Sequence, residues 1–284
     1  MISCPTCHQP ATKRDGHDRR GRQKYACRRC RRGFTAATES AFSGYRWPAD
    51  VILTAVRWYL AYPLSSRQVL ELLAERGVDV SHRTVLTWAQ VFGPLLAAEL
   101  RRNGRRPGRR WYVDEVFLFR RRQKRYLYRA IDEHGMVVDV LLREHRDTAS
   151  AEAFFRQAIA RTTVVPTEVV TDRHRPYVKA VAATCPGARH VRTGLYRAAG
   201  LTTQPVERSH VPTRDRLRNS RGVKHTATVQ RFLEGFEAVR QVRRGGAPGA
   251  GHLVPGRAPH VSVRTAVAAL HALGHSLHRR SSAR

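Results

Sequence analysis

Acidic residues are scarce in this chain. Only 22 Asp and Glu stand against 52 Lys and Arg among 284 residues, a formal net charge of +30, which is far more than solubility asks of a folded domain. A polyanionic partner accounts for it. The deficit runs along the whole chain: residues 1–48 carry three acids against eleven Lys or Arg, residues 101–110 carry six arginines and no acid, and no acid follows Glu237. Basic contacts spread in this way along a phosphate backbone release counterions, so binding is expected to weaken steeply with salt.

Long apolar runs are also missing. No stretch of 18 apolar residues occurs, and MISCPTCHQP lacks the charged-then-apolar order of a secretory leader; the expectation is an intracellular protein with no membrane partner. There is no internal repeat. Cysteine is sparse, five residues in all with four in two tight pairs, which suits a reducing compartment and a metal better than a disulfide framework.

What the chain does have begins with those pairs. Cys4-x2-Cys7 and Cys27-x2-Cys30, with nineteen residues between them, show the two-knuckle spacing of a zinc ribbon, in which four thiolates close one tetrahedral structural Zn2+ site. His8 and His17 could substitute as ligands. Without such a staple, residues 1–45 could not bury a core. Tyr25 and Phe34 lie among basic residues, a pattern shared by nucleic-acid contacts and by an ordinary solvated surface. Cys185 reads as a plain buried cysteine.

From 46 to 100 apolar residues recur at three- and four-residue steps, enough for three helices. SSRQVLELLAERGVDVSHRTVLTWAQ has the layout of a helix-turn-helix: a helix from about Ser66, a turn at Gly77 and a second helix capped by Ser81. If that second helix enters a major groove, His82, Arg83 and Thr87 are placed to reach base edges. A plain helical bundle fits the same pattern. RRNGRRPGRR, residues 101–110, reads as a basic linker. Three strand-like runs follow, RRWYVDEVFLF, KRYLYRAID and MVVDVLLRE, then alternating helix and strand, which indicates an α/β domain with a mixed sheet. The 245–284 tail is basic and rich in Gly and Pro, with a short terminal helix.

Three carboxylates occupy costly places. Asp114 lies within the apolar run WYVDEVFLF, Asp172 ends the apolar EVVTD, and Glu207 heads the basic run VERSHVPTRDRLRN. A buried carboxylate must be paired or bind a metal. Each taken alone fits an ion pair with a nearby arginine; the three together fit a centre in which two hard cations sit between carboxylates and a phosphodiester.

WYVDEVFLF, RYLYRAID, VVTDRHRPY and PVERSHVPTRDRLRNSRG, with 34 residues between Asp172 and Glu207, resemble the catalytic core of bacterial insertion-sequence transposases of the DDE class, most nearly insertion-sequence family six. The resemblance covers roughly residues 45–245. It implies a ribonuclease-H-like mixed-sheet catalytic domain over 111–244, preceded by the ribbon (1–45), the helix-turn-helix domain (46–100) and the linker (101–110). Asp114, Asp172 and Glu207 become the catalytic, metal-binding triad, holding two Mg2+ or Mn2+ ions. Successive strand side chains face opposite ways, so only one of Asp114 and Glu115 can look into the site, and the resemblance chooses Asp114. Arg214, seven residues after Glu207, and Arg218 are expected to contact DNA, although Pro212, between Glu207 and Arg214, is expected to kink the helix or begin a new one.

The implied function is that of a DNA transposase. It binds terminal inverted repeats, hydrolyses the phosphodiester at the element's ends to expose a 3′ hydroxyl, and transfers that hydroxyl into target DNA. The implied working unit is a homodimer or larger, cytoplasmic and nucleoid-associated. A non-catalytic DNA-binding regulator and a nuclease that never joins strands remain the alternatives.

Overall fold

In the computed structural model of the chain, residues 3–193, 202–218 and 225–244 are described apart from ten single positions, together with Ala268 and Ala272. The expectations for His8, for the Arg218 side chain and for the 245–284 tail lie outside the described residues.

Three short strands, β1 (Thr12–His17), β2 (Gln23–Cys27) and β3 (Gly33–Thr35), form an antiparallel sheet. Its core is minute: Cys4, Cys27 and Phe34 are buried, with Cys7, Tyr25 and Cys30 packed against them. Tyr25 and Phe34 are paired across the ladder and stack with ring centroids 5.7 Å apart.

Three helices follow, α1 (Ala49–Ala61), α2 (Ser66–Ala74) and α3 (His82–Asn103). Local chemistry sets their starts. Ser65 and Gln68 form a reciprocal capping box at α2, and the Ser81 side chain accepts from Thr84 N–H at α3. Gly77 takes the turn between them at φ +71°, a conformation costly for a residue with a Cβ. The expected linker is shorter than 101–110. Arg101 and Arg102 complete the last turn of α3, where cations favour the helix C-terminus, and Arg110 opens the next strand.

The second sheet is mixed. Strands β4 (Arg110–Arg120), β5 (Gln123–Asp132), β6 (Val137–Arg143), β7 (Glu168–Thr171) and β8 (Arg189–Arg192) lie in the order β6-β5-β4-β7-β8. The first three form an antiparallel meander, and β7 and β8 add in parallel beside β4. Helices α4 (Thr148–Thr162) and α5 (Arg175–Thr184) connect the later strands, and α6 (Gln204–Arg218) and α7 (Thr226–Arg243) follow. This is the ribonuclease-H-like α/β arrangement.

Strand alternation divides the sheet into two cores. Trp111, Val113, Tyr128 and Ala130 pack with Phe154, Phe155 and Tyr177 of α4 and α5. Val116, Leu118, Leu127, Val140 and Leu142 turn the other way, into a core shared with α1, α2, α3, α6 and α7. The helices before the sheet and the last helix after it are therefore packed together. At the crossing of α3 and α7 two glycines meet, and a Cβ built on Gly235 would lie 2.7 Å from the Gly93 Cα. No helix among the described residues is long and apolar enough to cross a membrane.

Candidate active site

Asp114 and Asp172 reach the same place because their strands run parallel. Tyr112 pairs with Val170 across β4 and β7, so two residues further on each strand the two aspartates stand level. Asp172 lies just beyond β7, where it turns the chain: its Oδ1 accepts from the His174 N–H at 2.9 Å. Carboxylate oxygens of Asp114, Glu115 and Asp172 all lie within 4.8 Å of one another.

The inclusion of Glu115 corrects the expectation that only one member of the Asp114–Glu115 pair looks into the site. Alternation does send them to opposite faces. Asp114 faces α6, where its Oδ2 stands 3.3 Å from His210 Nε2, and Glu115 faces α5, where its Oε2 accepts from the Tyr177 hydroxyl. Asp172 lies beyond the end of the neighbouring strand, where the sheet no longer separates its faces, and both side chains come within its reach.

Arg146, in the turn between β6 and α4, closes this side. Its Nε donates to Glu115 Oε1, and its NH2 donates to Asp172 Oδ2 at 3.3 Å. Burial pushes the Glu115 carboxyl up, while the Tyr177 hydroxyl and the Arg146 charge oppose it. Burial also carries the fully buried Tyr177 hydroxyl well above its ordinary range, with Glu115 adding to the rise.

Glu207 stands outside that grouping. It lies exposed in the first turn of α6, and its Oε1 accepts from the Thr203 hydroxyl at 2.6 Å. His210, one turn further along, is the residue that touches Asp114. The helix thus meets Asp114 through His210, while the Glu207 side chain points to its own N-terminus. Pro212 does not interrupt α6, which is continuous through it; the position is exposed, so the hydrogen bond that proline forgoes lies on the solvent side. Val206, Ser209, His210, Thr213, Arg216 and Leu217 are buried, and Glu207, Val211 and Arg214 share the exposed face.

The donor set suits a hard divalent cation. Three carboxylates offer oxygens at one point, and a guanidinium already counters two of them. Beside them His210 is fully buried with neither ring nitrogen in a well-aligned hydrogen bond among the described residues, which is unusual away from functional sites. Burial lowers its pKa, against the pull of the Asp114 carboxylate.

The second group of ligands is Cys4, Cys7, Cys27 and Cys30, whose sulfurs also lie within 4.8 Å of one another. Cys4 Sγ is 3.5 Å from Cys30 Sγ, and Cys7 Sγ is 3.5 Å from Cys27 Sγ, close to the spacing of a tetrahedral four-sulfur zinc site. Burial raises the Cys4 thiol, yet the Cys7 and Thr6 N–H groups and the neighbouring sulfurs bring it down to about 6. His17 lies on β1 outside this group. Cys185 is buried and unpaired by disulfide. On α3, His82, Arg83 and Thr87 are exposed near the helix start.

Sequence reasoning passed over four residues that meet the carboxylates: Glu115, Arg146, Tyr177 and His210. The signal for Glu115 was its place beside Asp114 in the apolar run; the other three become visible only in the folded chain.

A family model described as a DDE domain matches residues 108–246. Over 190 residues the chain is 32% identical to the transposase for insertion sequence-like element IS431mec of Staphylococcus aureus, a match covering 67% of this chain and 83% of that one. The transposase for insertion sequence element IS257 in transposon Tn4003, also of Staphylococcus aureus, matches at the same identity and coverage. Among solved structures, the HTLV-2 integrase catalytic core domain in complex with magnesium is 16% identical with a TM-score of 0.35, covering 46% of this chain and 86% of that one. The catalytic domain of Mos1 mariner transposase is 9% identical with a TM-score of 0.32, covering 83% and 94%.

Proposed function

The chain belongs to the DDE transposases of bacterial insertion sequences, of the family-six kind, and from that membership we propose how its own residues carry out the reaction. The activity is cleavage and joining of DNA strands, dependent on divalent metal. Membership tells against both a regulator without catalysis and a nuclease without joining.

The observation that carries the site assignment is the convergence of Asp114 and Asp172 at the ends of adjacent parallel strands. These two hold the cations, and Glu207 supplies the third carboxylate from α6. Mg2+ or Mn2+, two per site, polarises the phosphodiester and stabilises the attacking and leaving oxygens when bound. The carboxylates would hold the cations against the scissile phosphate; attack of water on phosphorus breaks its bond to the 3′ oxygen, leaving a 3′ hydroxyl at the element's end and a 5′ phosphate on the flanking strand. The carboxylates then orient that hydroxyl against a target phosphodiester, and no protein nucleophile enters either step. Arg146, held by Glu115 and Asp172, presents a cation at the mouth of the site. Arg214, exposed two turns beyond Glu207 on the same face of α6, and Arg218 at the helix end contact DNA phosphates.

The four-cysteine group holds one Zn2+ that staples the ribbon and performs no chemistry. The ribbon and the α2–α3 pair bind the terminal inverted repeats, with His82, Arg83 and Thr87 toward base edges. Two ends must be brought together, so the working unit is a homodimer or larger.

The test is an assay with labelled donor ends, target DNA and Mg2+ or Mn2+. Cleaved ends covalently joined to target are the expected product. Hydrolysed ends that never join, over the full range of metal and target concentrations, are the result that would overturn the reading.

A further inference from the structure

Arg129 is fully buried at the middle of β5, where it pairs directly with Asp114 across the antiparallel β4–β5 ladder. Directly opposed residues share a face of the sheet, so this guanidinium and the Asp114 carboxylate both point at α6. Among the described residues, the hydrogen-bond partners of the Arg129 side chain lie on α6 and α7. Its Nε donates to Ser209 Oγ at 2.8 Å, NH1 donates to Thr213 Oγ1 at 3.4 Å, and NH1 and NH2 fork onto the two oxygens of Glu237, the second at 3.0 Å. Thr213 closes the ring by donating to Glu237 Oε1 at 2.9 Å. Ser209 and Thr213 flank His210, the residue that touches Asp114, and Glu207 lies one turn before.

We propose that Arg129 and Glu237 are positioning residues. Their forked pair fixes the rotation and height of α6 against the strand bearing Asp114, and so sets where Glu207 stands relative to Asp114 and Asp172. This rests on the reading of Glu207 as the third carboxylate.

The chemistry favours orientation over stability as the role. A buried ion pair adds little to stability compared with apolar side chains of the same volume, because desolvation offsets the attraction. A planar fork with five donors, by contrast, fixes direction. Here three separate elements, β5, α6 and α7, are referenced to one guanidinium. Partners at this remove from a metal hold the ligands in place, and their loss typically weakens metal affinity.

The test uses the full chain in two variants. Arg129→Met with Glu237→Met replaces the pair by apolar volume, and Ser209→Ala with Thr213→Val keeps the pair but cuts its hold on α6. Three quantities are read: repeat binding, amide hydrogen exchange over residues 206–217 without metal, and the Mg2+ concentration giving half-maximal donor-end cleavage. In both variants repeat binding is expected to be unchanged, α6 amides to exchange at least about tenfold faster, and the Mg2+ requirement to rise about tenfold or more. Unchanged exchange and unchanged Mg2+ requirement in either folded, DNA-binding variant overturns the proposal; if the methionine pair does not fold, the Ser209 and Thr213 variant decides alone. Glu207→Gln is run beside them. If it cleaves normally, the reading of Glu207 fails; if it is inactive while the other variants behave as wild type, only the positioning role fails.

Discussion

Arg129 and Asp114 face each other across adjacent antiparallel strands, on the side of the sheet covered by α6. A cation so close to a carboxylate proposed to hold metal would compete for it, yet its fork is spent on Glu237 and its Nε on Ser209. Glu237 therefore keeps the guanidinium occupied away from the aspartate. The two faces of β4 carry matching arrangements: Arg129 behind Asp114, and Arg146 with Tyr177 around Glu115.

Glu237 gives this arrangement a pH signature. Burial raises its carboxyl, but Arg129, Arg240 and the Thr213 hydroxyl outweigh burial and bring it from 4.5 down to about 2. A group whose pKa is lower in the folded chain contributes stability above the unfolded value and loses it as pH falls. Stability is expected to decline between pH 4.5 and 2 by an amount on the order of 2–3 kcal/mol from this group. Denaturant unfolding across that range checks it. In the Arg129→Met and Glu237→Met double variant this component should be gone, and an identical acid profile would contradict the assignment.

Asp114→Asn and Asp172→Asn are expected to lower both cleavage and joining by at least about 10³-fold, the scale of losing a group that stabilises transition-state charge, here the cations the aspartates are proposed to hold. Binding to the repeats should persist. Glu115→Gln should be milder, because Glu115 reaches the site by holding Arg146 and Tyr177. Loss of repeat binding in the aspartate variants, measured by gel shift, would make these groups structural.

The legibility of the chain follows the range of each interaction. Ser81 as a cap, Gly77 as a turn and the three strand runs are local features, and each stands where the pattern placed it. Asp114 and Asp172 were legible because a carboxylate in an apolar strand is conspicuous. Arg129 within RYLYRAID and Glu237 within LEGFEAV gave the same kind of signal, but 108 positions separate them and nothing local names the partner. Alternation gave the opposite faces of Asp114 and Glu115 correctly, but not that both carboxylates come within 4.8 Å of Asp172, which lies beyond the end of its strand. The 34-residue spacing pointed to Glu207, while the Thr203 contact that turns it toward its own helix start had no sequence signal. Pro212 suggested a break, and its solvent-facing position explains why the helix tolerates it.

Zinc removal should unfold one part and spare the rest. The ribbon core is built on four cysteines and two aromatics, too little to fold unaided, and structural zinc contributes about 10–16 kcal/mol in isolated fingers. About one zinc per chain is expected by elemental analysis. A chelator, or Cys27→Ser with Cys30→Ser, should erase the dispersed amide signals of residues 4–35 and leave those of the mixed sheet. Retention of the ribbon signals without metal would refute the zinc role.

Salt dependence separates phosphate contacts from base contacts. Arg214→Ala should weaken binding about equally on all sequences and reduce the log–log salt slope by about one. Arg83→Ala should relax sequence preference at a few positions, at a cost of about 1–3 kcal/mol on the cognate repeat. Binding isotherms at several salt concentrations, on cognate and scrambled repeats, measure both. The assignments of Arg83 and Arg214 are reversed if their effects are exchanged.

The α3–α7 crossing tests whether the helix proposed to read DNA and the mixed-sheet domain act as one body. Gly235 and Gly93 meet backbone to backbone, and a methyl on Gly235 would stand 2.7 Å from the Gly93 Cα and 2.9 Å from Leu60 Cδ1; on Gly93 the tightest contact is 3.2 Å. Two effects compete in Gly235→Ala. Alanine favours the helix by up to about 1 kcal/mol over glycine, whereas overpacking against atoms that cannot turn aside costs about 1–3 kcal/mol. Backbone does not rotate out of the way, so overpacking wins, and Gly235→Ala should melt lower than wild type and lower than Gly93→Ala. Because α7 also carries Glu237, parting the helices should loosen α6 as well, and donor-end cleavage should fall further than repeat binding. A Gly235→Ala protein as stable as wild type would mean that α3 and α7 do not meet as closely as this crossing requires.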